Sequence, residues 1–202
     1  MEKIVIYQVF TRLFGNNKTS CVHNGGIEEN GVGKMADFTL KALEQIKSLG
    51  ATHIWYTGLI EHATQTDYTS FGIEKDHPAV VKGKAGSPYA IKDYYDIDPD
   101  LATSVPNRMK EFENLVQRTH RAGLKFVIDF VPNHVARQYK SDSAPEGVKN
   151  LGEDDNKDYA FSNQNNFYYI PGTQLNAQFD LKDYIEFPAR ATGNDNFSAY
   201  PG

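Results

Sequence analysis

The sequence predicts an α/β fold in which parallel strands alternate with helices, and three observations support this prediction. Three short runs rich in β-branched and aromatic residues occur in the first 131 residues. Two segments with apolar residues at helical spacing separate these runs. A helix is also the usual crossover between neighbouring parallel strands. The order strand, helix, strand, helix, strand therefore indicates a parallel sheet with helices on its outside.

The three strands are predicted from residue type. They are Ile4 to Phe10, Thr52 to Ile60 and Leu124 to Val131. Their low polar content is typical of parallel strands that are covered on both faces. Pro132 follows the third run and ends it, because proline has no N–H to donate to a strand neighbour.

The two helices are predicted from apolar spacing and from the residues at their ends. The first begins at Asp37 and is closed by Gly50, and the second begins at Pro106 and ends at Gly123. The residues between the second strand and the second helix, 61–105, are predicted to be a long polar insertion. The pattern thus gives two complete strand–helix units followed by a third strand.

A change of composition follows His134. Residues 139–202 are crowded with Asn, Asp, Gly, Ser and Tyr and show neither helical nor alternating periodicity. So long an excursion with many aromatic residues is more typical of a functional subdomain than of a linker. We therefore predict a first domain over 1–134 and an inserted subdomain over 135–202.

Composition and charge exclude several classes of function. The chain of 202 residues has a net charge of -5 and a pI near 5.7, so it lacks the basic surface expected of a nucleic-acid-binding protein. None of its apolar runs approaches the roughly 20 residues of a membrane span. A strand begins almost at once, without a secretory signal, which predicts a cytoplasmic protein or the mature form of a secreted or periplasmic one. The lone Cys21 does not decide between these compartments.

Four segments, taken in order, resemble glycoside hydrolase family 13, the α-amylase family. They are Tyr7-Gln8-Val9-Phe10, Trp55-Tyr56-Thr57, Pro88-Tyr89-Ala90-Ile91-Lys92-Asp93-Tyr94-Tyr95 and Asp129-Phe130-Val131-Pro132-Asn133-His134. The last matches the family signature Asp-x-x-x-Asn-His at the end of a strand. Two positions depart from the family pattern: Gly58 stands where a proline is usual, and Pro88 where a glycine is usual.

The resemblance implies a partial (β/α)8 TIM barrel, made of its first three strand units and the start of the subdomain that the family inserts after strand three. Active sites of such barrels lie at the carboxyl ends of the strands. His134 would donate hydrogen bonds to hydroxyl groups of the bound sugar, and Tyr89 would be the aromatic surface beneath the same sugar. Asp129 would point into the barrel and organise the site. The implied substrate is an α-glucan or maltooligosaccharide.

The resemblance also implies a structural calcium ion at Asn133, because an amide oxygen suits a hard cation. Asp180 or Asp183 would supply a second oxygen. Structural interpretations compete at each of these positions. A histidine after a strand or a half-buried tyrosine often has no ligand, and an asparagine after a strand often only caps a turn. The remaining histidines and the Glu28-Glu29 pair are predicted to be solvated surface.

The family's catalytic carboxylates are missing from these residues. A retaining glycosidase needs a nucleophile and a general acid/base, and the family's nucleophile lies in Gly-x-Arg-x-Asp. None of the six arginines has an aspartate two places later, and no His-Asp pair occurs. We therefore expect the chain to be inactive alone. Its uncovered sheet edge would favour docking of the rest of its own barrel, or self-association.

Two other classes of function were considered. A phosphate-binding loop is suggested by Gly31-x-Gly33-Lys34, but Glu28 and Met35 occupy the positions that require glycine and serine or threonine. A non-catalytic carbohydrate-binding or scaffold protein, which keeps the family's strands without its chemistry, stays open as the alternative. A reading frame that continues into Gly-x-Arg-x-Asp would decide for the enzyme.

Overall fold

The computed structural model describes residues 3–191. The chain forms two compact units, residues 1–143 and 144–202. The strands are β1 Ile6–Phe10, β2 His53–Thr57, β3 Ile60–His62, β4 Ile91–Ile97, β5 Lys125–Ile128, β6 Tyr169–Ile170 and β7 Ala189–Arg190. The α-helices are α1 Ile27–Asn30, α2 Leu40–Ser48 and α3 Arg108–Arg121. No helix within the described range is both long and apolar enough to cross a membrane.

The first unit is built on a three-stranded parallel sheet in the order β1–β2–β5. Val9 of β1 lies beside Tyr56 of β2, and Tyr56 lies beside Ile128 of β5. The predicted α/β fold with parallel strands is therefore confirmed. Each strand is shorter than its predicted run: β1 begins at Ile6, β2 spans His53–Thr57 and β5 spans Lys125–Ile128.

Helices α2 and α3 cover one face of this sheet. Thr39 caps α2 by accepting a hydrogen bond from the Ala42 N–H at 3.2 Å, and a short 3-10 turn precedes it where the sequence predicted the helix to begin. Gly50 follows with a φ of 89°, a left-handed conformation that glycine adopts without strain. Helix α3 begins after a 3-10 turn that contains Pro106 and ends before Gly123.

Aromatic rings fill the space between the sheet and the helices. Tyr56 and Phe38 are fully buried, and their rings meet edge to face at 4.9 Å. Phe126 stacks on Tyr56 at 4.6 Å, and Phe112 of α3 meets Phe126 edge-on at 5.7 Å. The core therefore lies between β2, β5 and the helices. Ile54 and Tyr56 of β2 and Phe126 and Ile128 of β5 face it.

The predicted insertion 61–105 contains regular structure that the sequence analysis did not predict. Strands β3 and β4 pair antiparallel, with Ile60 beside Ile97 and His62 beside Ile91. After β5 the chain returns along β4, where Ala136 N–H donates to Ile91 C=O at 2.8 Å. Residues 135–143, which the sequence analysis placed in the subdomain, thus belong to the first compact unit.

The second unit has short strands and turns in its described part, residues 144–191. Strands β6 and β7 pair antiparallel, and Leu175 and Ala189 form a small buried cluster. Asp155 organises one turn by accepting hydrogen bonds from the backbone N–H groups of Asn166 and Phe167 and from the Tyr169 hydroxyl. Residues 192–202 of the predicted subdomain lie outside the described residues.

Candidate functional site

The carboxyl ends of β2 and β5 are joined through Asp129. One carboxylate oxygen of Asp129 accepts a hydrogen bond from the Gly58 N–H at 3.1 Å, and the other oxygen is buried with no partner among the described residues. A buried carboxylate oxygen without a partner is unfavourable. Asp129 therefore fixes the geometry at the strand ends and keeps an acceptor for a further donor.

A cleft of about 410 Å³ opens beside these strand ends. Its lining residues are Gln8, Phe10, Thr57, Pro88 and Tyr89. Tyr89 is 44% exposed, and the Gln8 amide donates to the Thr57 hydroxyl at 3.1 Å. The cleft thus combines aromatic faces with amide and hydroxyl groups, a mixture that suits the apolar CH faces and the hydroxyl groups of a sugar.

Gly58 allows two residues that line the cleft, Phe10 and Pro88, to pack against the turn after β2. Its φ is 79°, and a Cβ at this position would lie 2.8 Å from Pro88 Cβ and 3.4 Å from Phe10 Cε2. The family's usual proline at position 58 is fixed at a negative φ, so it does not fit this backbone. The two departures from the family pattern, Gly58 and Pro88, therefore lie against each other.

Tyr94 holds the loop that carries Asn133 and His134. Its hydroxyl donates to the Val131 carbonyl and lies 3.5 Å from the His134 carbonyl. Its ring packs against Phe130 at 5.4 Å between ring centres. The backbone of the loop is therefore anchored by β4, whereas the side chains of Asn133 and His134 are exposed.

The predicted site residues fall into three places. Tyr89 lines the cleft, and Asp129 lies at the adjoining strand ends. Asn133 and His134 lie on the Tyr94-anchored loop and do not line the cleft. Asp180 and Asp183 belong to the second unit, where both are exposed and Asp180 accepts from the Lys182 N–H at 2.8 Å. Their roles stay predictions.

A second polar centre of the first unit was not foreseen. It is a group of four carboxylates whose oxygens all lie within 4.8 Å of one another: Glu61, Asp93, Asp96 and Asp142. We name it the carboxylate cluster. Three of the four residues are buried, and Glu61 is only 1% exposed. Hydropathy could not reveal this cluster, because Glu61, Asp93 and Asp96 lie in the predicted polar insertion and Asp142 in the predicted subdomain, and both segments are rich in polar residues.

The electrostatics of the carboxylate cluster are dominated by Glu61. Burial raises the pKa of Glu61 to about 9, and the neighbouring charges of Asp142, Asp96 and Asp93 act in the same direction. Burial followed by the charge of Asp96 also raises the pKa of Asp142. Arg108 compensates part of this charge, since it is paired with Asp96 and lies 3.4 Å from Asp142.

Other buried charges of the insertion are paired. His62 is 5% exposed and its Nδ1 lies 2.9 Å from Asp98, so the prediction that it is solvated surface was wrong. Burial alone would lower the pKa of His62, but the charge of Asp98 and its hydrogen bond outweigh this effect and the pKa is raised. Lys92 pairs with Asp76 at 3.0 Å. Ion pairs thus replace apolar packing here.

The calcium ion implied at Asn133 was tested against the donors around it. Within residues 3–191, the one set of three or more His, Cys, Asp and Glu side chains close enough to share an ion is the carboxylate cluster. It includes neither Asp129, Asp180 nor Asp183. The described carboxylates thus do not converge on a second site, and calcium at Asn133 stays a prediction.

Comparison with known proteins agrees with this fold. The family model described as the catalytic domain of alpha amylase matches residues 8–182. The chain is 30% identical to trehalose-6-phosphate hydrolase of Bacillus subtilis over 139 residues, which are 69% of the chain and 18% of that protein. It is 23% identical to alpha-amylase 2 of Dictyoglomus thermophilum over 181 residues, which are 90% of the chain and 25% of that protein.

A shorter stretch of the chain is similar to a protein whose name does not describe a glycosidase. The chain is 47% identical to the amino acid transporter heavy chain SLC3A1 of Rattus norvegicus over 51 residues, which are 25% of the chain and 7% of that protein. All three relatives are thus much longer than the part that this chain matches. With a family model that covers most of the chain, and the family's segments at the strand ends of a parallel sheet, this chain belongs to the α-amylase family, glycoside hydrolase family 13.

Proposed function

We propose that this chain is the substrate-binding, N-terminal part of a retaining glycoside hydrolase that acts on α-glucosidic bonds of starch-type glucans or oligosaccharides. The observation that carries the proposal is the cleft at the carboxyl ends of the parallel strands, where the exposed Tyr89 ring lies beside Gln8 and Thr57. Relatives named as alpha-amylase and trehalose-6-phosphate hydrolase support the substrate class.

In this proposal Tyr89 and His134 contact one sugar ring, and Asp129 positions the strand ends beside it. Tyr89, in the cleft, packs against the apolar face of the ring. His134 is not part of the cleft lining, and in this proposal its exposed side chain donates a hydrogen bond to the same sugar from the loop after β5. Contacts of this kind become stronger as the ring flattens in the oxocarbenium-like transition state. Asp129 holds the strand ends through Gly58 and offers its second oxygen to a cationic partner.

The chemistry itself requires carboxylates that these residues do not contain. Gly-x-Arg-x-Asp and His-Asp are both absent from the 202 residues. We therefore propose that the 202-residue chain binds sugar without cleaving it, and that the whole barrel supplies the nucleophile and the acid/base. Turnover of starch by the pure 202-residue chain would refute this part of the proposal.

Sugar binding is tested by titrating maltooligosaccharides into the purified protein and its variants. We expect Tyr89→Ala and His134→Ala each to weaken binding about tenfold, since one aromatic or one hydrogen-bonded contact is worth about 1 to 2 kcal/mol. Tyr95→Ala is the matched control, because Tyr95 is 43% exposed against 44% for Tyr89 and does not line the cleft. Equal affinity of all four proteins would remove the sugar-site assignment.

A non-catalytic binding or scaffold protein is the second candidate. The match to an amino acid transporter heavy chain favours it, because that family member is not named for glycoside cleavage. The two candidates differ in the residues that follow strand three in the whole protein. A whole protein with Gly-x-Arg-x-Asp and a later acid/base glutamate supports the enzyme, and one without them supports the scaffold.

A further inference from the structure

The carboxylate cluster contains a side chain that lacks what a buried charged group requires. Glu61 is 1% exposed, and neither of its carboxylate oxygens has a hydrogen-bond partner in the part of the chain that the structure describes. One of these oxygens is within 4.8 Å of an oxygen from each of Asp93, Asp96 and Asp142. A buried, ionised carboxylate close to three others, with no donor of its own, is strongly unfavourable, so either a proton or a positive charge must lie among them.

No cationic side chain of residues 3–191 donates a hydrogen bond to Glu61. Arg108 donates to Asp96 and approaches Asp142, but it makes no described hydrogen bond to Glu61. The Lys92 ammonium group is engaged with Asp76 at 3.0 Å and with the Glu74 carbonyl. Arg108 is therefore the described cation that is hydrogen-bonded to the cluster, and Lys92 acts on Glu61 only through its charge.

The surrounding backbone fixes the cluster in place. One oxygen of Asp93 accepts hydrogen bonds from the Ser141 hydroxyl and from the N–H groups of Asp142 and Ser143. This turn presents Asp142 at the edge of the cluster, where its side chain is 28% exposed. Glu61, Asp93 and Asp96 are therefore buried, and Asp142 lies at an edge that is accessible to solvent. A metal site needs such an entry path.

From this geometry we infer that the carboxylate cluster binds one Ca²⁺ ion, with Glu61, Asp93, Asp96 and Asp142 as its protein ligands. An all-oxygen set without histidine or cysteine suits a hard cation. Oxygens on opposite sides of Ca²⁺ stand about 4.6 to 5.2 Å apart, so four oxygens within 4.8 Å of one another fit around one ion. Mg²⁺ needs a tighter octahedral shell and usually keeps several waters.

This site is distinct from the calcium ion predicted at Asn133, and it does not depend on the proposed function. Asn133 lies on the exposed loop after β5, whereas the cluster lies on β3, on β4 and in the turn at Ser141–Ser143. The ion would join the segment that follows β2 to the chain that returns along β4. Its expected role is structural, because none of its ligands lines the cleft.

The test is a calorimetric titration of CaCl2 into metal-free protein, with Glu61→Gln as the variant. We expect wild type to bind Ca²⁺ and Glu61→Gln to bind at least about tenfold more weakly at this site, or to lose one equivalent. Glu28→Gln removes an exposed carboxylate outside the cluster and should bind like wild type. Asn133→Ala is titrated in parallel, so that an ion at that position is counted separately.

Thermal unfolding separates a ligand role from a merely structural one. In EDTA near pH 7, Glu61→Gln should melt close to the temperature of wild type, because the raised pKa of Glu61 keeps it neutral in the metal-free protein and the amide is neutral too. Added CaCl2 should raise the melting temperature of wild type and Glu28→Gln but not that of Glu61→Gln, and MgCl2 at the same concentration should have a smaller effect. If Glu61→Gln does not fold, Asp142→Asn replaces it, since Asp142 is at the accessible edge.

The outcomes are decisive in both directions. Loss of calcium binding and of calcium stabilisation in Glu61→Gln or Asp142→Asn, with both retained in Glu28→Gln, supports the site. No calcium binding by wild type, equal binding by the cluster variants, or an equal response to MgCl2 overturns it, and protons shared among the carboxylates then account for the cluster.

Discussion

At the scale of single residues, Tyr56 shows how one side chain joins three parts of the fold. Its ring packs between Phe38 and Phe126, and its hydroxyl lies 2.6 Å from the Thr119 hydroxyl of α3. Thr119 in turn donates to the Leu115 carbonyl at 2.9 Å, so the Tyr56 hydroxyl is the donor of the pair. The central strand and α3 are thereby held in one register.

We predict that Tyr56→Phe lowers the free energy of unfolding by about 1 kcal/mol, the usual contribution of a hydrogen bond between neutral groups. The ring contacts are preserved, so the loss reports the hydroxyl alone. Urea denaturation at pH 7 measures it, with Tyr95→Phe as an exposed control. A variant as stable as wild type would show that the hydroxyl pair adds nothing.

The same tyrosine predicts a response to alkaline pH. Burial raises the pKa of Tyr56 to about 12, from an ordinary value of 10. The folded state holds this proton more tightly than the unfolded state. The contribution of Tyr56 to stability is therefore fully present below pH 10 and is lost as the pH rises from 10 towards 12. Tyr56→Phe should show a shallower loss of stability over that range in urea denaturation; equal slopes would contradict the prediction.

At the scale of elements, the sequence predicted what periodicity can detect. The order of β1, α2, β2, α3 and β5 was predicted because their apolar residues recur at strand or helix spacing. Strands β3 and β4 were missed because their polar side chains are buried. Lys92 and Asp96 form ion pairs and Asp93 accepts hydrogen bonds from Ser141 and the backbone, and no hydropathy pattern reveals such pairing. His62 was missed for the same reason, since it pairs with Asp98. Glu61 was missed because it is buried although no described group hydrogen-bonds to it.

The turn after β2 provides a prediction at this scale. Gly58→Ala places a Cβ 2.8 Å from Pro88 Cβ on a backbone with a φ of 79°. Gly50→Ala is the matched control, since its φ is 89° but nothing lies within 4 Å of its Cβ. Both variants should lose about 1 kcal/mol from the left-handed backbone, and Gly58→Ala should lose more and bind maltooligosaccharides more weakly. Equal stability and equal affinity would show that the contact with Pro88 is unimportant.

At the scale of the whole molecule, the parallel sheet ends at strands with one described neighbour each. Within residues 3–191, β1 and β5 both pair with β2 alone in this sheet. On β1, Ile6 is 53% and Phe10 37% exposed, and Ile4 just before it is 66% exposed. The resemblance to a barrel family made such an edge predictable. In a closed barrel every strand has two neighbours, so three strands taken alone leave one edge exposed on each side. No strand within residues 3–191 covers either edge.

We predict that the 202-residue chain self-associates through this edge. Sedimentation velocity at increasing protein concentration should show a growing fraction of larger species, and Ile6→Lys should reduce that fraction because a charge on an edge strand opposes pairing. Lys41→Ala, an exposed change on α2, should have no effect. A chain that stays monomeric at every concentration would contradict the prediction.

The closed ends of the excursion between β3 and β4 make it a tolerant place in the chain. The Ala63 N–H donates to the Ala90 carbonyl at 2.9 Å, so the two ends of the segment are held together. Doubling the length of such a segment adds only about 0.6 kcal/mol of closure entropy. Gly72, at an exposed turn with open space around it, is therefore a suitable point to graft a fluorescent reporter without altering the register of the parallel strands.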